Sequence, residues 1–583
     1  MSYITKEEYE KYIYRTLYET LYDRALQTPR NKAISYMGIK RNYKSFLKLV
    51  QNQAQSLDVL GVKNNSPVIT MLPNQPENWE LMYATNMLGG GYAPLLPTLA
   101  PKTFEKILSD LEVENLFIYK DFYEKYKQTL QNSGVKNIIL MDGAESIPTL
   151  LLKLDELKKK LKRETPEAIK LKEQIEILRK QQTHAEPKLV LYKEFIDAGK
   201  GRIVTPVPFE PNKTAAYITT SGTTGIPKLV EQTNEAFNAL ALEHMLSVNL
   251  VAKDKNLSIM PPSIAYGAGS AHYALTLGFE NILIPYLLTN SEKYKELWLK
   301  YKPDQFIGGP IHAELMLETL EEIDIKERDR LLKLYRNAKN IVSGGAPLKK
   351  ETEQILRELG IKISQGYGDT ETLGGTIYNI PETYQPFSAG KPFPFVKVRV
   401  CKPGTNEEVK DGEEGELHVI TPTLMKRYHN NPEATKETIF INEEGEREHC
   451  TGDIVVKKGD FIYFKDRMTD MFWRNGFNVH PSSVKKEIDK YLNVGEECAV
   501  IKIEHPDYQY VPVAFISINK DRDFDTLKQE IYEQLKQELD ELAVPYEIIK
   551  VDAIPHNAGG KVDAKQLIEI SGVNYCKQKK IER

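Results

Sequence analysis

The segment TTSGTTGIPKLVEQ, residues 219–232, has the residue types of a phosphate-binding loop. Its glycines let backbone N–H groups approach phosphate oxygens, and its threonine hydroxyls and single ammonium add further donors. Gly222 and Lys228 have the spacing of a nucleotide-hydrolase P-loop. However, Pro227 replaces the second glycine of that motif, and Leu229 replaces its metal-binding hydroxyl. The segment therefore indicates a different kind of phosphate loop.

The residues on either side of this loop predict strands. AAYITT precedes it, and KLVEQT follows it with an alternating apolar pattern. A P-loop would instead run into a helix, whose N-terminus helps to hold the phosphates. We expect a mobile clamp for the β- and γ-phosphates of a triphosphate, although such a segment alone is also typical of a flexible turn. Its predicted donors are Thr220, Ser221, Gly222, Thr223, Thr224, Gly225 and Lys228.

Composition excludes several classes of protein. Lys and Arg number 78 against 82 acidic residues, a net charge of -4, whereas a dedicated nucleic-acid binder would carry a strong basic excess. The four cysteines are far apart and form no CxxC pair, which favours reduced thiols. The N-terminus is polar, and the most apolar run, residues 87–101, is short and interrupted by Gly and Pro. We predict a cytoplasmic protein without a transmembrane segment.

Short apolar runs alternate with amphipathic helical stretches over the first 460 residues or so. This alternation predicts an α/β fold with mainly parallel sheets. Predicted strands include residues 66–72, 115–119, 137–140, 257–261 and 281–287, and predicted helices include residues 77–88 and 234–249.

Residues 148–182 are rich in Lys, Glu and Leu, with apolar residues at heptad spacing on both sides of Thr165 and Pro166. Thr165 can cap a helix whose first position is Pro166. We expect an antiparallel helical hairpin inserted at the surface without chemistry, or a docking appendage.

The remaining chain predicts three further parts. Residues 385–465 suggest a small β-rich module that completes an N-terminal domain of residues 1–465. The charged segment DRMTD, residues 466–470, is typical of a hinge. Residues 471–583 then combine helical patterns with strands, enough for a small α+β domain.

Further segments resemble the superfamily of adenylate-forming enzymes, which includes acyl-CoA synthetases, adenylation domains of peptide synthetases and luciferases. Together with the phosphate loop, they occur along the chain in the same order as in that superfamily. They are LGGGYAPLLPT (88–98) before the loop, and SGGAPL (343–348), QGYGDTE (365–371), TGD (451–453), DRMTD (466–470), GFNVHPSSVKKEI (476–488) and GGKVDAKQL (559–567) after it. The resemblance covers nearly the whole chain apart from residues 148–182. It implies a large N-terminal adenylate-forming domain of several subdomains and a small mobile C-terminal lid.

The resemblance also implies roles for individual residues around ATP. The adenine would lie against the backbone of Gly345, Ala346 and Pro347 and against the ring of Tyr367, next to Gly368. Thr370 would donate to the α-phosphate, and Glu371 would bind Mg²⁺, a hard cation that prefers carboxylate and phosphate oxygens.

Three residues of the last third of the chain complete this predicted site. Asp453 would accept hydrogen bonds from both ribose hydroxyls, and Arg467 would add a ribose or phosphate contact. Lys561 would be the catalytic ammonium, which offsets the repulsion between a carboxylate and the polyphosphate that it attacks.

Residues 260–275 resemble the acyl-pocket segment of the superfamily. Ile264 stands near the place where amino-acid-activating relatives have an aspartate, so an uncharged carboxylic acid is favoured. The predicted pocket residues are Ile264, Tyr266, Gly267, Gly269 and Gly344, with His272 either in the pocket or an ordinary helix histidine.

The second half-reaction leaves alternatives open. Thr469 and Asp470 stand at the hinge, where the superfamily usually has Asp or Lys. Arg474 replaces a lysine that often precedes the thiol-tunnel glycine, here Gly476. The acceptor could therefore be the pantetheine of coenzyme A or that of a carrier protein.

Taken together, the residues and the resemblance predict an acid–thiol ligase. ATP and an apolar acid, most simply a fatty acid, would give an acyl-adenylate and then a thioester, with ATP, Mg²⁺ and coenzyme A or an acyl carrier protein as cofactors and partners. The alternative outside enzymes is a nucleotide-binding interaction protein, against which Lys561, Glu371 and Asp453 weigh.

Overall fold

The computed structural model describes residues 4–97, 99, 101–141, 187–220, 227–285, 291–467, 472–474, 477–479, 481–505, 509–539, 543–556 and 562–574. It divides into two compact units, Met1–Lys397 with Ile420–His449 and Val398–Val419 with Cys450–Arg583. The predicted helical hairpin at 148–182 lies outside the described residues, as do residues 468–470 of the predicted hinge. The predicted domain boundaries stay a prediction.

The described strands are short, as in most α/β proteins. They are β1 (Lys32–Tyr36), β2 (Ile39–Asn42), β3 (Pro67–Met71), β4 (Gly91–Pro94), β5 (Asn115–Tyr119), β6 (Asn137–Met141), β7 (Lys188–Leu191), β8 (Thr214–Thr219), β9 (Leu229–Thr233), β10 (Lys255–Ser258), β11 (Glu280–Leu283), β12 (Gln305–Gly308), β13 (Asn340–Gly344), β14 (Ile363–Tyr367), β15 (Ile377–Tyr378), β16 (Lys391–Pro392), β17 (Lys397–Cys401), β18 (Glu414–Ile420), β19 (Arg427–Tyr428), β20 (Ile439–Ile441), β21 (Arg447–Lys458), β22 (Phe461–Arg467), β23 (Phe472–Arg474), β24 (Phe477–Val479), β25 (Glu497–His505), β26 (Gln509–Ser517) and β27 (Glu547–Lys550).

The described helices alternate with these strands along the chain. They are α1 (Lys6–Ile13), α2 (Leu17–Gln27), α3 (Tyr43–Val59), α4 (Pro76–Met87), α5 (Pro101–Asp110), α6 (Lys120–Gln131), α7 (Tyr192–Ala198), α8 (Asn234–Ser247), α9 (Ala265–Leu277), α10 (Ser291–Tyr301), α11 (Pro310–Glu321), α12 (Ile325–Asn337), α13 (Lys350–Glu358), α14 (Pro432–Thr438), α15 (Pro481–Asp489), α16 (Phe524–Glu538) and α17 (Ala564–Ser571). Among the described helices, none is long and apolar enough to cross a membrane.

Two large sheets form the frame of the first unit. One has the strand order β16-β15-β14-β13-β12-β10-β11-β1-β2, and its six strands from β14 to β1 are parallel. The other has the order β19-β9-β8-β4-β3-β5-β6-β7, and its strands from β8 to β7 are parallel. The prediction of an α/β fold with mainly parallel sheets is confirmed.

Burial on both faces explains why these strands read as continuous apolar runs. In β5, NLFIY, four of the five residues are buried. Helix α4 is buried at all 12 of its positions, and its carboxylate Glu80 is paired with Arg41. A helix that is buried all round shows no amphipathic stripe, so its sequence pattern is weak although its packing is extensive.

Strands β8 and β9 pair antiparallel, with Thr219 opposite Leu229. The phosphate-loop segment therefore connects two strands, as the sequence predicts, and no helix begins at its end. Thr220 N donates to Lys228 O at 2.9 Å, and Lys228 N donates to Thr220 Oγ1 at 3.1 Å. These two bonds close the base of the loop.

The second unit is smaller and mixed in structure. Strands β25, β26 and β27 form a three-stranded sheet in which β26 and β27 are parallel. Val484 and Ile488 of α15 and Leu527 and Ile531 of α16 belong to one buried apolar cluster with Ile516 of this sheet. This arrangement agrees with the predicted small α+β domain.

Candidate active site

The two predicted adenine segments lie side by side at one edge of the nine-stranded sheet. Strands β13 and β14 are parallel neighbours with Gly344 opposite Gly366, so both segments leave the sheet at its carboxyl end. Gly345 has φ +83°, a conformation that suits glycine, and the segment from Gly345 to Pro347 is exposed. A Cβ on Gly368 would lie 2.5 Å from Gly375 N, so a side chain does not fit there.

The backbone of Thr370 and Glu371 is held from β9. Gln232 Nε2 donates to Thr370 O at 3.0 Å and to Glu371 O at 3.3 Å. Met425 N donates to Glu371 O at 2.7 Å. β9, which follows the phosphate loop in the sequence, therefore supports the backbone of the predicted magnesium segment.

Tyr428 connects these two parts through its side chain. Its hydroxyl donates to the Glu371 carboxylate, and Lys228 Nζ lies 4.5 Å from the centre of its ring. Cation–ring contacts of this kind stabilise the ammonium while leaving its N–H groups available. This role could not be predicted from the sequence, because Tyr428 is 57 residues from Glu371 and outside every quoted motif.

A buried ion pair lies beside Glu371. His449 Nε2 is 2.6 Å from Asp369 Oδ2, and their side chains are 2% and 14% exposed. Burial alone would lower the pKa of His449, but the negative charge and hydrogen bond of Asp369 raise it to about 9. Asp369 also accepts from Thr372 N at 2.9 Å and from its hydroxyl at 2.7 Å. The loop between Asp369 and Thr372 is thus fixed on both sides.

The environment of Glu371 fits a divalent cation. Burial raises the pKa of Glu371, and the negative charge of Asp369 raises it further. A bound cation would offset both effects. One protein carboxylate together with phosphate oxygens is the ligand set that Mg²⁺ commonly takes. We refer to Asp369, Glu371, Tyr428 and His449 as the carboxylate cluster.

Glu231 of β9 binds Arg427 of β19 and the adjacent His429. It accepts from Thr214 Oγ1 at 2.7 Å and Arg427 Nε at 3.0 Å, and its Oε1 is 2.8 Å from His429 Nδ1. Burial alone would raise the pKa of Glu231, but these hydrogen bonds outweigh it and lower the pKa to about 2. The side chain, 2% exposed, is therefore ionised and fully paired.

A narrow cavity of about 30 Å³ lies between α8, α9 and the carboxyl edge of the nine-stranded sheet. Tyr266, at the start of α9, is one of its walls, and its hydroxyl donates to Gly308 O at 3.3 Å. The cavity, called the aromatic cavity below, is lined by Leu240, His244, Tyr266, Ser270, Tyr273, Ile307, Val342, Gly366, Leu373, Gly374, Gly375, Ile377, Tyr378 and Phe393. Aromatic rings and glycines thus dominate its wall.

The other predicted pocket residues of α9 lie behind this wall. A Cβ on Gly267 would lie 2.0 Å from Pro261 O, and one on Gly269 would lie 2.5 Å from Leu240 Cδ2. These glycines permit close packing of α9 and do not line the cavity. Ile264 is the N-cap residue of α9 and is also outside the lining. Gly344 is not part of the lining either, but it lies behind the Tyr266 ring, since a Cβ on Gly344 would be 3.1 Å from that ring.

His272 is an interior helix histidine. Its Nδ1 is 3.0 Å from the Tyr83 hydroxyl and its Nε2 is 3.3 Å from Asn238 Oδ1. The side chain is fully buried, and burial lowers its pKa to about 3. Of the two interpretations of His272 from the sequence, the structure favours the second.

The predicted ribose residues belong to the second unit. Asp453 is buried in β21 and pairs in register with Arg467 of β22. Arg474 ends β23, and its role at a thiol tunnel stays a prediction from the resemblance. The remaining predicted site residues lie outside the described part of the chain: Ser221, Gly222, Thr223, Thr224, Gly225, Thr469, Asp470, Gly476 and Lys561.

Comparison with known proteins identifies the family. Residues 21–429 match the family described as AMP-binding enzyme, and residues 494–561 match the AMP-binding enzyme C-terminal domain. The chain belongs to the AMP-binding enzyme family.

Its relatives include CoA ligases of several substrates. A long-chain-fatty-acid–CoA ligase of Bacillus subtilis (strain 168) is 26% identical over 575 residues, 96% of this chain and 95% of the relative. A 4-coumarate–CoA ligase of Pinus taeda is 28% identical over 374 residues, 62% of this chain and 66% of the relative.

Solved structures share the fold. The anthranilate CoA ligase AuaEII in complex with anthranoyl-AMP has a TM-score of 0.76 at 18% identity, covering 96% of this chain and 98% of its own. ATP-bound MatB from Rhodopseudomonas palustris has a TM-score of 0.76 at 20% identity, covering 96% and 99%.

The protein is therefore an enzyme, an AMP-forming acid–CoA ligase that uses ATP to form an acyl-adenylate. This result sets aside the alternative of a nucleotide-binding interaction protein. It also explains why Lys228, at the base of the phosphate loop, and Glu371 both contact Tyr428.

Proposed function

We propose that the protein makes acyl-CoA from a fatty or other apolar carboxylic acid, with release of AMP and pyrophosphate. The observation that carries this proposal is the lining of the aromatic cavity, whose described residues include no carboxylate and no ammonium. An acid with a charged tail would have to leave water for a wall that cannot pair its charge, which is costly.

The names of the relatives agree with an apolar acid but leave its type open. The Bacillus subtilis relative is named for long-chain fatty acids, and the Pinus taeda relative is named for 4-coumarate, an aryl acid. Aromatic walls such as Tyr266, Tyr273 and Phe393 can pack against an alkyl chain or against a ring.

In the first half-reaction the described groups would act as follows. Lys228 and Thr220, at the base of the phosphate loop, would hold the β- and γ-phosphates. Tyr367, at the end of β14, would cover the adenine, and Thr370 would donate to the α-phosphate. Glu371 would hold Mg²⁺, which supplies positive charge against the polyphosphate when it is bound.

Lys561 would stabilise the charge that develops as the substrate carboxylate attacks the α-phosphorus. A positioned ammonium acts strongly there because it needs no reorganisation during the reaction. Asp453 and Arg467 would hold the ribose.

For the second half-reaction we propose that the C-terminal domain turns about Thr469 and Asp470. The pantetheine thiol of CoA would then reach the acyl-adenylate beside Arg474 and Gly476. The sequence of residues Gly560–Asp563, G-K-V-D, resembles the corresponding motif of relatives that load carrier proteins. A carrier pantetheine is therefore the second candidate acceptor. Thioester formation with purified CoA and with a purified acyl carrier protein distinguishes the two.

Acid-dependent ATP–pyrophosphate exchange tests the first half-reaction. The full chain is assayed with fatty, aryl and amino acids, and we expect exchange with uncharged acids. Lys561→Ala should lower the exchange rate at least about 100-fold, because a positioned electrostatic donor contributes on the order of 3 kcal/mol. Lys565→Ala, at an exposed lysine of α17, is the matched control and should keep the wild-type rate.

If no acid of the panel supports exchange by the folded protein, the proposed function is wrong. A preference for amino acids would overturn the assignment of an uncharged acid while leaving the ligase identity intact.

A further inference from the structure

Three side chains with different metal-binding atoms meet in the second unit. Glu416 and His418 lie on β18, Cys450 lies on β21, and these two strands are neighbours in one sheet. They offer a carboxylate oxygen, an imidazole nitrogen and a thiol sulfur, and these three atoms all lie within 4.8 Å of one another. In the part of the chain that the structure describes, no other group of three such side chains is this close. We call these residues the Glu–His–Cys group.

The backbone of the sheet brings this group together. Side chains two positions apart on a strand point to the same face, so Glu416 and His418 lie on one side of β18. Thr451 Oγ1 donates to Leu417 O at 2.8 Å. This bond holds the residue after Cys450 against the residue between the other two members. The positions of the three side chains are therefore set by strand pairing.

The spacing of the glutamate and the histidine fits two ligands of one metal ion. His418 Nε2 lies 3.8 Å from Glu416 Oε2, which is longer than an ordinary hydrogen bond. Zinc bonds of about 2.0–2.3 Å in a tetrahedral arrangement place two ligand atoms about 3.3–3.6 Å apart. A shift of a few tenths of an ångström would therefore bring both atoms onto one ion. Gly404 N donates to Glu416 Oε2 at 3.1 Å, and ligating carboxylates are commonly oriented by such a second hydrogen bond.

The group combines two buried ligands with one that solvent can reach. The side chains of Glu416 and His418 are 5% and 1% exposed, whereas Cys450 is partly exposed. Burial strengthens the attraction between a cation and a carboxylate because less water screens it. The partly exposed thiol gives an ion a way in and leaves a fourth position for water. Three protein ligands and one water molecule are a common zinc arrangement.

We propose that Glu416, His418 and Cys450 form a binding site for one Zn²⁺ ion. A thiolate and an imidazole favour zinc over Mg²⁺, which prefers oxygen ligands in octahedral geometry. Binding breaks the S–H bond of Cys450 and releases its proton to solvent, so that the sulfur ligates as a thiolate. The site shares no residue with the Mg²⁺ site proposed at Glu371, which belongs to the first unit.

The ion would act on the segment that follows Cys450. Asp453 N donates to Thr451 Oγ1 at 3.1 Å, so Thr451 contacts both β18 and the residue proposed to hold the ribose. A metal bond at Cys450 would fix the chain three residues before Asp453. Because the ion binds only the folded arrangement, it would also stabilise the protein. The site requires no substrate and does not depend on the proposed function.

Zinc binding to the untagged full chain, in competition with a chromogenic chelator, tests the proposal. We expect one Zn²⁺ per chain, retained in excess Mg²⁺. Cys450→Ser and His418→Gln should each weaken binding at least about 100-fold, because even changes to groups that only orient a ligand weaken zinc sites about 10- to 100-fold. Cys498→Ala, at a buried thiol in the apolar cluster of α15 and α16, is the matched control and should bind as the wild type does.

Two further measurements separate ligation from a loss of folding. Co²⁺ in place of Zn²⁺ should give a thiolate-to-metal charge-transfer band with the wild type and none with Cys450→Ser. Zn²⁺ should raise the melting temperature of the wild type and leave that of Cys450→Ser unchanged. Since Cys450 is partly exposed and serine has nearly its shape, the metal-free variant should unfold in urea with the wild-type midpoint.

Absence of tight Zn²⁺ binding by the folded wild type would overturn the proposal. An unchanged affinity in Cys450→Ser would overturn it as well, because the ion would then lie elsewhere in the chain. The same holds if Cys498→Ala loses the ion as completely as Cys450→Ser does. All of these outcomes leave acid-dependent exchange, and with it the proposed function, untouched.

Discussion

A buried histidine has opposite pKa shifts in the carboxylate cluster and in the aromatic cavity. His449 in the cluster lies against Asp369, and its pKa is raised to about 9. His244 in the cavity lies against aromatic rings, and its pKa is lowered to about 4. Burial opposes the charged form in both places, so the presence of a carboxylate partner decides the outcome. One end of the site is built to hold charge and the other to exclude it.

The largest expected effect comes from breaking the ion pair of the cluster. Asp369→Asn removes one partner of a buried pair, and this typically costs about 3–5 kcal/mol because the other partner is left uncompensated. His244→Leu in the cavity replaces a neutral ring by an apolar side chain and should cost under about 1.5 kcal/mol. Urea unfolding of the full chain at pH 7.5 measures both.

The double variant Asp369→Leu/His449→Leu sharpens this comparison. Replacing both partners of a buried pair by apolar residues is often neutral or stabilising. We expect the double variant to be more stable than Asp369→Asn. If it is equally destabilised, packing and not charge pairing explains the loss.

The next effect concerns catalysis at the cluster. Glu371→Gln keeps the shape of the side chain but removes the charge that would hold Mg²⁺. We expect the exchange rate to fall about 100-fold, on the order of 3 kcal/mol, and MgATP binding to weaken in calorimetry. An exchange rate within tenfold of the wild type, with the same Mg²⁺ dependence, would contradict the assignment of Glu371.

The buried carboxylate of Glu231 should make the stability of the fold depend on pH. Its pKa is lowered from an ordinary value of 4.5 to about 2, which corresponds to about 3 kcal/mol of stability. Because the folded-state pKa is the lower one, this stability is present above pH 4.5 and is lost as the pH falls toward 2. Glu231→Gln should therefore be less stable at pH 7 and lose less on acidification. Glu433→Gln, at an exposed carboxylate of α14, should unfold with acid as the wild type does.

Removal of the Tyr428 hydroxyl should have the smallest effect. Tyr428→Phe keeps the ring below Lys228 and removes only the hydrogen bond to Glu371. One hydrogen bond to a charged group contributes about 1.5–3 kcal/mol, and water can replace part of it because Glu371 is partly exposed, although Tyr428 itself is buried. We expect a three- to tenfold rise in the KM for ATP, measured by exchange. A loss as large as that of Glu371→Gln would mean that Tyr428 has a role of its own in the reaction.

The sequence predicted local structure well because local patterns carry it. The alternation around the phosphate loop predicted β8 and β9, and the structure confirms that they pair antiparallel. The apolar run NLFIY predicted β5 with the observed bounds. In both cases the deciding information lies within a few neighbouring residues.

Contacts between distant residues could not be predicted in the same way. His449 is 80 residues from Asp369, and nothing in EHCTGD indicates that its second residue will meet the aspartate of QGYGDTE. The glycines of α9 were expected to line the pocket. A Cβ on Gly267 would instead lie 2.0 Å from Pro261 O, so this glycine permits the close approach of the protein's own backbone. A small residue signals close approach, and the sequence alone does not say whether the neighbour is a ligand or the protein itself.

The register of β9 has a consequence for insertions. Gln232 contacts the backbone of Thr370 and Glu371, while the adjacent Glu231 binds Arg427 and His429. Side chains of a strand alternate between faces, so one added residue between Leu229 and Glu231 would exchange the two sets of contacts. One added residue within the loop would only lengthen a segment whose ends are already joined, at a small entropic cost. Added length should therefore cost little folding stability before Lys228 and much immediately after it.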